Sequence, residues 1–191
     1  MAMETDAEVA PSDPARRGFT IVRPTDGKPH SGRKQRDADK PGFALHPAIA
    51  RGMALIRETS DSGGADVRTL FDAPGIHVSY AWFKSGFPLP LHSHDVDCYY
   101  QVIAGTMNVG TEALGKGDGV FIPAGVPYTV SPGERGVEFL EIRTSHDYDT
   151  HYRAKTDAYW DRIAETRRTR KAIWASEPPP YGLIDPAPKN P

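Results

Sequence analysis

The chain of 191 residues has few of the features that would assign it to several large classes of protein. Its only cysteine is Cys98, so an internal disulfide cannot hold the fold together. No apolar run reaches the length of a transmembrane helix, and the N-terminus lacks the basic-then-apolar pattern of a signal peptide. We therefore expect a cytoplasmic protein that does not bind a membrane.

The chain also lacks an excess of charge of one sign. Its net charge of −2 gives no electrostatic reason to expect nucleic-acid binding. The segment densest in charge is 28–40, where Asp37 and Asp39 interleave with the basic residues, which argues against a basic patch. The expected ligand is a small molecule.

Three regions follow from composition and periodicity. Residues 1–41 are rich in charge and poor in apolar side chains, which predicts a flexible N-terminal arm. Residues 42–148 are predicted to form a β-barrel domain, although 43–58 fits a short helix or a strand equally well. Residues 149–191 are predicted to form a C-terminal helix and a Pro-rich tail. The helix has an apolar stripe that is expected to pack it against the barrel: Tyr159, Trp160, Ile163 and Ala164.

Short apolar segments separated by turn signals fill the middle of the chain. The 18 glycines and 18 prolines favour a turn-rich, mostly β architecture. A turn is predicted at Ala104-Gly105. The predicted strands are 67–71, 76–83, 99–103, 106–109, 119–122 and 137–142. This spacing is typical of a β-sandwich or barrel.

His92 and His94 are the first candidates for chemistry. In a strand, residues two apart point to the same face, so both imidazoles should converge on one point. Neutral imidazole is the commonest protein ligand for transition metals. Two ligands rarely suffice, so a third is expected nearby.

The surrounding residues resemble the two sequence motifs of the cupin family. The first is Gly86, five residues, His92-Ser93-His94, three residues, Cys98, six residues and Gly105. The second is matched at the positions Gly117, Pro123-Ala124-Gly125, Tyr128 and Pro132. The resemblance covers residues 65–143. It implies an all-β, cupin-type double-stranded β-helix, or jelly-roll barrel, between the extended N-terminal arm and the C-terminal α-helix.

The ligand positions depart from the family pattern. Cupins typically bind metal through two His, a Glu and a further His; here Cys98 stands at the Glu position and Tyr128 at the last His. The resemblance therefore implies a centre of His92, His94 and Cys98. It would hold zinc or iron(II), with nickel, manganese or copper as alternatives. Cys98 could instead be a small buried packing residue. Asp97 could supply the carboxylate if a bulge turns it inward.

The remaining candidates concern the pocket. Tyr128 could ligate as phenolate, bind substrate, act as a general acid or base, or simply pack. Tyr100 shares the predicted face of Cys98 and should line the substrate pocket. Glu141 and Arg143 share a face and could lie in the barrel mouth or in solvent. Three aromatic residues could line or fill the barrel: Tyr80, Trp82 and Phe121. Three histidines without ligand spacing are interpreted as surface or packing residues: His77, His146 and His151.

Two functions are compatible with these residues. The first is a metal-dependent enzyme that acts on a small organic molecule, for which the family offers dioxygenases, lyases, isomerases and decarboxylases as precedents. Oxidoreductase chemistry of the dioxygenase type is the preferred class, with Tyr128 as the catalytic residue. The second is a non-catalytic cupin that binds a small ligand or acts as a sensor. A scaffold role has the least support, and the resemblance implies a homodimer.

Overall fold

The computed structural model of the protein describes residues 19–30 and 45–181. The rest of the predicted N-terminal arm and the end of the Pro-rich tail lie outside these residues, so their predicted state stays a prediction. Within them, no helix is both long enough and apolar enough to cross a bilayer.

The described residues contain nine strands and two α-helices. The strands are β1 (Lys28–Pro29), β2 (Ala65–Ala73), β3 (Ile76–Phe83), β4 (His92–His94), β5 (Cys98–Val109), β6 (Glu112–Leu114), β7 (Gly119–Ile122), β8 (Ser131–Arg143) and β9 (Thr150–Tyr152). The helices are α1 (Pro47–Glu58) and α2 (Asp157–Ser176).

The strands form two antiparallel sheets. The larger has the order β1-β2-β3-β8-β5-β6, with β7 also paired to β5. The smaller consists of β4 and β9, and a backbone bridge joins His92 to Tyr128 through N–O distances of 3.0 and 2.8 Å. The predicted all-β class with a C-terminal helix is therefore confirmed.

The inner face of the larger sheet is polar at one end and apolar at the other. Directly paired residues of neighbouring strands share a face. Across β3, β8 and β5 this gives three rows: His77, Arg143 and Cys98; Ser79, Glu141 and Tyr100; Ala81, Phe139 and Val102. The third row belongs to the hydrophobic core. The first two rows face the histidines of β4 and form the polar wall of the candidate site.

The turn predicted at Ala104-Gly105 is wrong, because β5 runs through it as an irregularity. The pairing of β5 with β8 shifts register on both sides of this point. Gly105 has a φ of 77°, and a Cβ there would lie 2.1 Å from the carbonyl oxygen of Gly136. The glycine thus allows β5 to approach β8 closely at a bulge. In the sequence, a glycine at a bulge looks the same as a glycine in a turn.

Residues 47–58 form helix α1 rather than a strand. Pro47 occupies the first turn, where its missing N–H costs nothing, and His46 Nδ1 accepts a hydrogen bond from the Ala48 amide at 3.3 Å. Phe43 lies outside the described residues. The periodicity alone could not separate the two assignments.

The apolar stripe of α2 packs mainly on α1, which corrects the prediction that it packs on the barrel. Trp160 is fully buried, and a Cβ at Gly52 would lie 2.0 Å from its ring. Farther along the helix, Trp174 joins the barrel core beside Phe87 and donates from Nε1 to the Ser85 carbonyl at 2.9 Å. Helix α2 therefore connects the barrel to helix α1, a contact between two helices that the sequence did not predict.

Candidate metal centre

His92 and His94 lie on β4 with buried side chains and ring centroids 4.9 Å apart. His92 Nδ1 lies 2.7 Å from the Pro90 carbonyl oxygen, and His94 Nδ1 lies 3.1 Å from that of Asp149. Because a carbonyl oxygen can only accept, each Nδ1 carries the proton and each Nε2 keeps a lone pair. A backbone partner that fixes ring orientation in this way is typical of histidines that bind metal.

Cys98 points into the barrel and Asp97 points away from it. Cys98 is 1% exposed, at the start of β5. Asp97 Oδ1 accepts a hydrogen bond from the Ala124 amide at 2.8 Å. The structure therefore places the thiol, and not the neighbouring carboxylate, beside the histidines.

Glu141 supplies the carboxylate that the sequence motif lacks. A ring nitrogen of His94, the thiol sulfur of Cys98 and a carboxylate oxygen of Glu141 all lie within 4.8 Å of one another. Sequence reasoning left Glu141 between barrel mouth and solvent, because no motif marks β8. The one sequence signal for Glu141 was that it lies two residues from Arg143 and so shares its strand face. That this face points inward depends on the pairing with Tyr100, which is distant in sequence.

Tyr100 and Tyr128 connect Glu141 to His92 through a chain of three polar contacts. Tyr100 donates to Glu141 Oε1 at 2.7 Å, the two phenol oxygens are 2.5 Å apart, and the Tyr128 hydroxyl lies 3.1 Å from His92 Nε2. When His92 is neutral and carries its proton on Nδ1, its Nε2 cannot donate, so the two tyrosine hydroxyls are the sole donors in this chain. Their two protons can form hydrogen bonds at two of the three contacts. If Tyr128 donates to Tyr100, the Nε2 lone pair of His92 is left for a cation.

Burial keeps the histidines and the thiol neutral. It lowers the pKa of His94 to about 4, with a further contribution from the positive charge of Arg143. Burial also lowers the pKa of His92. It raises the pKa of Cys98 to about 12, and the negative charge of Glu141 adds to the effect. The site therefore presents neutral imidazoles, the form that binds metals.

The two tyrosines and the Glu141–Arg143 pair have defined charge states. Burial and the charge of Glu141 hold the pKa values of Tyr100 and Tyr128 well above the usual value, so both remain neutral phenols. Burial is the largest single effect on Glu141 and opposes its ionisation, but Arg143, the two histidines and the hydrogen bond from Tyr100 together lower the pKa of the carboxyl. Arg143 donates from Nη2 to Glu141 Oε1, and its pKa is raised by that carboxylate despite burial.

Other residues singled out in the sequence are not among the candidate ligands. His77 is buried and not on the surface, with Nδ1 3.1 Å from Asp72 Oδ1 and Nε2 2.8 Å from Ser79 Oγ. Tyr80 donates to Glu138 Oε1 at 2.8 Å on the opposite face of the sheet. Phe121 is 59% exposed and does not line the barrel. His151 lies on β9, away from the ligand triad.

No family model and no curated protein matches the chain. Among solved structures, the polyketide cyclase RemF from Streptomyces resistomycificus is 19% identical, with a TM-score of 0.47, over 56% of this chain and 82% of that one. An RmlC-like cupin from Shewanella frigidimarina is 22% identical, with a TM-score of 0.39, over 43% and 77%. Oxalate decarboxylase of Bacillus subtilis, a protein with Mn(II) centres, is 19% identical, with a TM-score of 0.44, over 60% and 36%.

These similarities describe a likeness of fold at low identity, and they assign neither a reaction nor a metal to this chain. The donors themselves fit a divalent transition metal: neutral imidazole, a carboxylate and a thiol. The two antiparallel sheets agree with the all-β architecture that the two sequence motifs imply.

Proposed function

We propose that the protein binds one divalent transition metal through His92, His94 and Glu141, with Cys98 as a fourth ligand. The carrying observation is the convergence of the His94 imidazole, the Glu141 carboxylate and the Cys98 thiol within 4.8 Å of one another, with the His92 ring 4.9 Å from that of His94. Zinc and iron(II) suit a nitrogen, oxygen and sulfur donor set best, with nickel, manganese and copper as further candidates.

The proposed activity is that of a metal-dependent enzyme for a small organic molecule, of the dioxygenase, lyase or isomerase type. The bound metal would supply Lewis acidity or redox capacity. The neutral phenol of Tyr128, one contact from His92, can donate a hydrogen bond or a proton to a substrate oxygen. Tyr100 and Arg143 hold Glu141 through Oε1 and so fix the orientation of the carboxylate.

Elemental analysis of protein purified without added metal tests the metal centre. We expect about one metal ion per chain in the native protein and a loss of more than about 90% in the His92→Ala/His94→Ala variant. Glu141→Gln should lower metal affinity by roughly 10- to 100-fold. Glu138→Gln is the matched control, because Glu138 is a buried carboxylate on the opposite face of β8. Native protein without stoichiometric metal would contradict the proposal.

A non-catalytic ligand-binding protein is the second candidate. The observation in its favour is the Glu141–Arg143 ion pair, which neutralises the carboxylate without any metal. Under this alternative, metal content would be low and Glu141→Gln would leave it unchanged. Oxygen consumption and substrate turnover by metal-loaded protein distinguish the dioxygenase type from the other reaction types.

A further inference from the structure

The guanidinium of Arg143 has donors that no described residue uses. Its side chain is about nine-tenths buried, and Nη2 donates to Glu141. Nε and Nη1 are both buried and have no hydrogen-bond partner within residues 19–30 and 45–181. Buried charged donors that lack an acceptor are costly, so a bound group that accepts from them would stabilise the site.

The position of this guanidinium is fixed by its neighbours. Its central carbon lies 4.0 Å from the centroid of the Tyr148 ring, which covers one face of the plane. Glu141 holds one nitrogen, and the register places Arg143 between His77 and Cys98 on the inner wall. The free N–H groups are thus held beside the proposed metal ligands rather than on a mobile side chain.

The charges of the site favour a singly charged planar anion. Glu141 and Arg143 cancel each other, the imidazoles are neutral, and a metal-bound Cys98 thiolate carries one negative charge, so a bound divalent cation would leave an excess of positive charge. A carboxylate matches the N–H geometry of a guanidinium, and its single charge limits repulsion by Glu141. We propose that the substrate is a small carboxylic acid whose carboxylate accepts a hydrogen bond from Nη1–H of Arg143.

The assignment as substrate rests on the proposed function, whereas the anion contact itself does not require the metal. Acetate is the probe, and acetamide is its uncharged analogue of the same shape. Both are titrated into the full chain, once after treatment with EDTA and once loaded with zinc. The readout is the 15N–1H resonance of the Arg143 Nε–H group, assigned by its disappearance in Arg143→Gln.

We expect acetate to shift this resonance in a saturable manner and to bind at least about tenfold more tightly than acetamide. Arg143→Gln should weaken acetate binding, followed by 13C-acetate relaxation, by about tenfold or more in the EDTA-treated chain, where no metal ligand is involved. Arg68→Gln is the matched control, because Arg68 pairs with Asp66 on β2, outside the ligand set, and should bind acetate like the native protein.

Equal binding of acetate and acetamide, or full acetate affinity in Arg143→Gln, would overturn the inference. If that variant does not fold, the Nε–H resonance of the native chain decides: no shift with acetate overturns it. Acetate binding through Arg143 without zinc binding would refute the metal centre alone. Zinc binding without acetate binding would refute the carboxylate site alone.

Discussion

At the scale of single residues, Cys98 determines how metal binding depends on protons. Its thiol is neutral in the metal-free site because burial raises its pKa to about 12, whereas a thiol ligand binds as thiolate. We therefore predict that zinc binding at neutral pH releases about one proton per ion, a value that falls towards zero in Cys98→Ala. Titration calorimetry in buffers of different ionisation enthalpy measures the number of protons released per zinc ion.

Asp97→Asn serves as the control for this measurement, since its carboxylate caps the Ala124 amide outside the site. Release of a full proton by Cys98→Ala would remove the thiol from the ligand set and support its role as a packing residue.

His94 makes the metal-free fold sensitive to mild acid. Its pKa is about 4 in the folded chain against an ordinary 6.5, so between these values the unfolded chain binds more protons. Stability is then full above about pH 6.5 and is lost as the pH falls towards 4. By linkage, the loss from this residue between neutral pH and pH 5 is about 2 kcal/mol.

Urea unfolding in EDTA at these two pH values tests this prediction. His94→Gln should show a decrease in unfolding free energy that is about 2 kcal/mol smaller than that of the native chain. His92 and His77, whose pKa values burial also lowers, should preserve part of the decrease. An identical decrease in both proteins would contradict the assignment to His94.

The sequence predicted the residues that depend on local geometry. His92 and His94 share a face because strand periodicity is local, and Cys98 rather than Asp97 points inward for the same reason. Glu141 could not be placed, because its orientation depends on the pairing of β5 with β8, which sets it opposite Tyr100, 41 residues earlier in the chain. Such pairings are fixed by the whole sheet and not by neighbours in the chain.

At the scale of elements, Trp174 is the residue through which α2 stabilises the barrel. It is fully buried against Phe87, and a Cβ at Gly64 would lie 2.5 Å from its ring. We predict that Trp174→Ala lowers the free energy of unfolding by about 3–5 kcal/mol. Ile173→Ala, on an exposed side chain of the same turn, should change it by less than about 0.5 kcal/mol.

Chemical denaturation monitored by far-UV circular dichroism gives both values. Equal effects of the two substitutions would show that the end of α2 does not contribute to the core.

Element boundaries were less predictable than element types. Most strands of the middle region were predicted, but Glu112–Leu114 and the first part of β8 were not. Thr150–Tyr152 was assigned to the helical region and forms β9 on β4. A three-residue strand has too few residues to show periodicity, and its partner is more than fifty residues away. The Gly105 irregularity was missed because a glycine with positive φ serves turns and bulges alike.

At the scale of the whole molecule, the helical layer and the barrel should unfold together. Trp160 packs α2 against α1, and Trp174 packs the same helix into the barrel core. One continuous helix therefore belongs to both hydrophobic clusters. We predict one cooperative transition with coincident midpoints by tryptophan fluorescence and far-UV circular dichroism. Two resolved transitions would show that the helical layer is an independent unit. The homodimer implied by the family resemblance stays a prediction, and light scattering of the full chain measures it.

The candidate ligands come from both sheets: the imidazoles belong to the strand β4, and the thiol and carboxylate belong to β5 and β8. An ion held by all of them would act as a reversible crosslink between the two sheets, in addition to the hydrogen bonds that run from Glu141 through Tyr100 and Tyr128 to His92. Removal of the ion would then weaken the contact between the two sheets as well as abolish the proposed activity. Faster proteolysis and amide exchange along β4 and β9 would then report the loss of the ion without a measurement of activity.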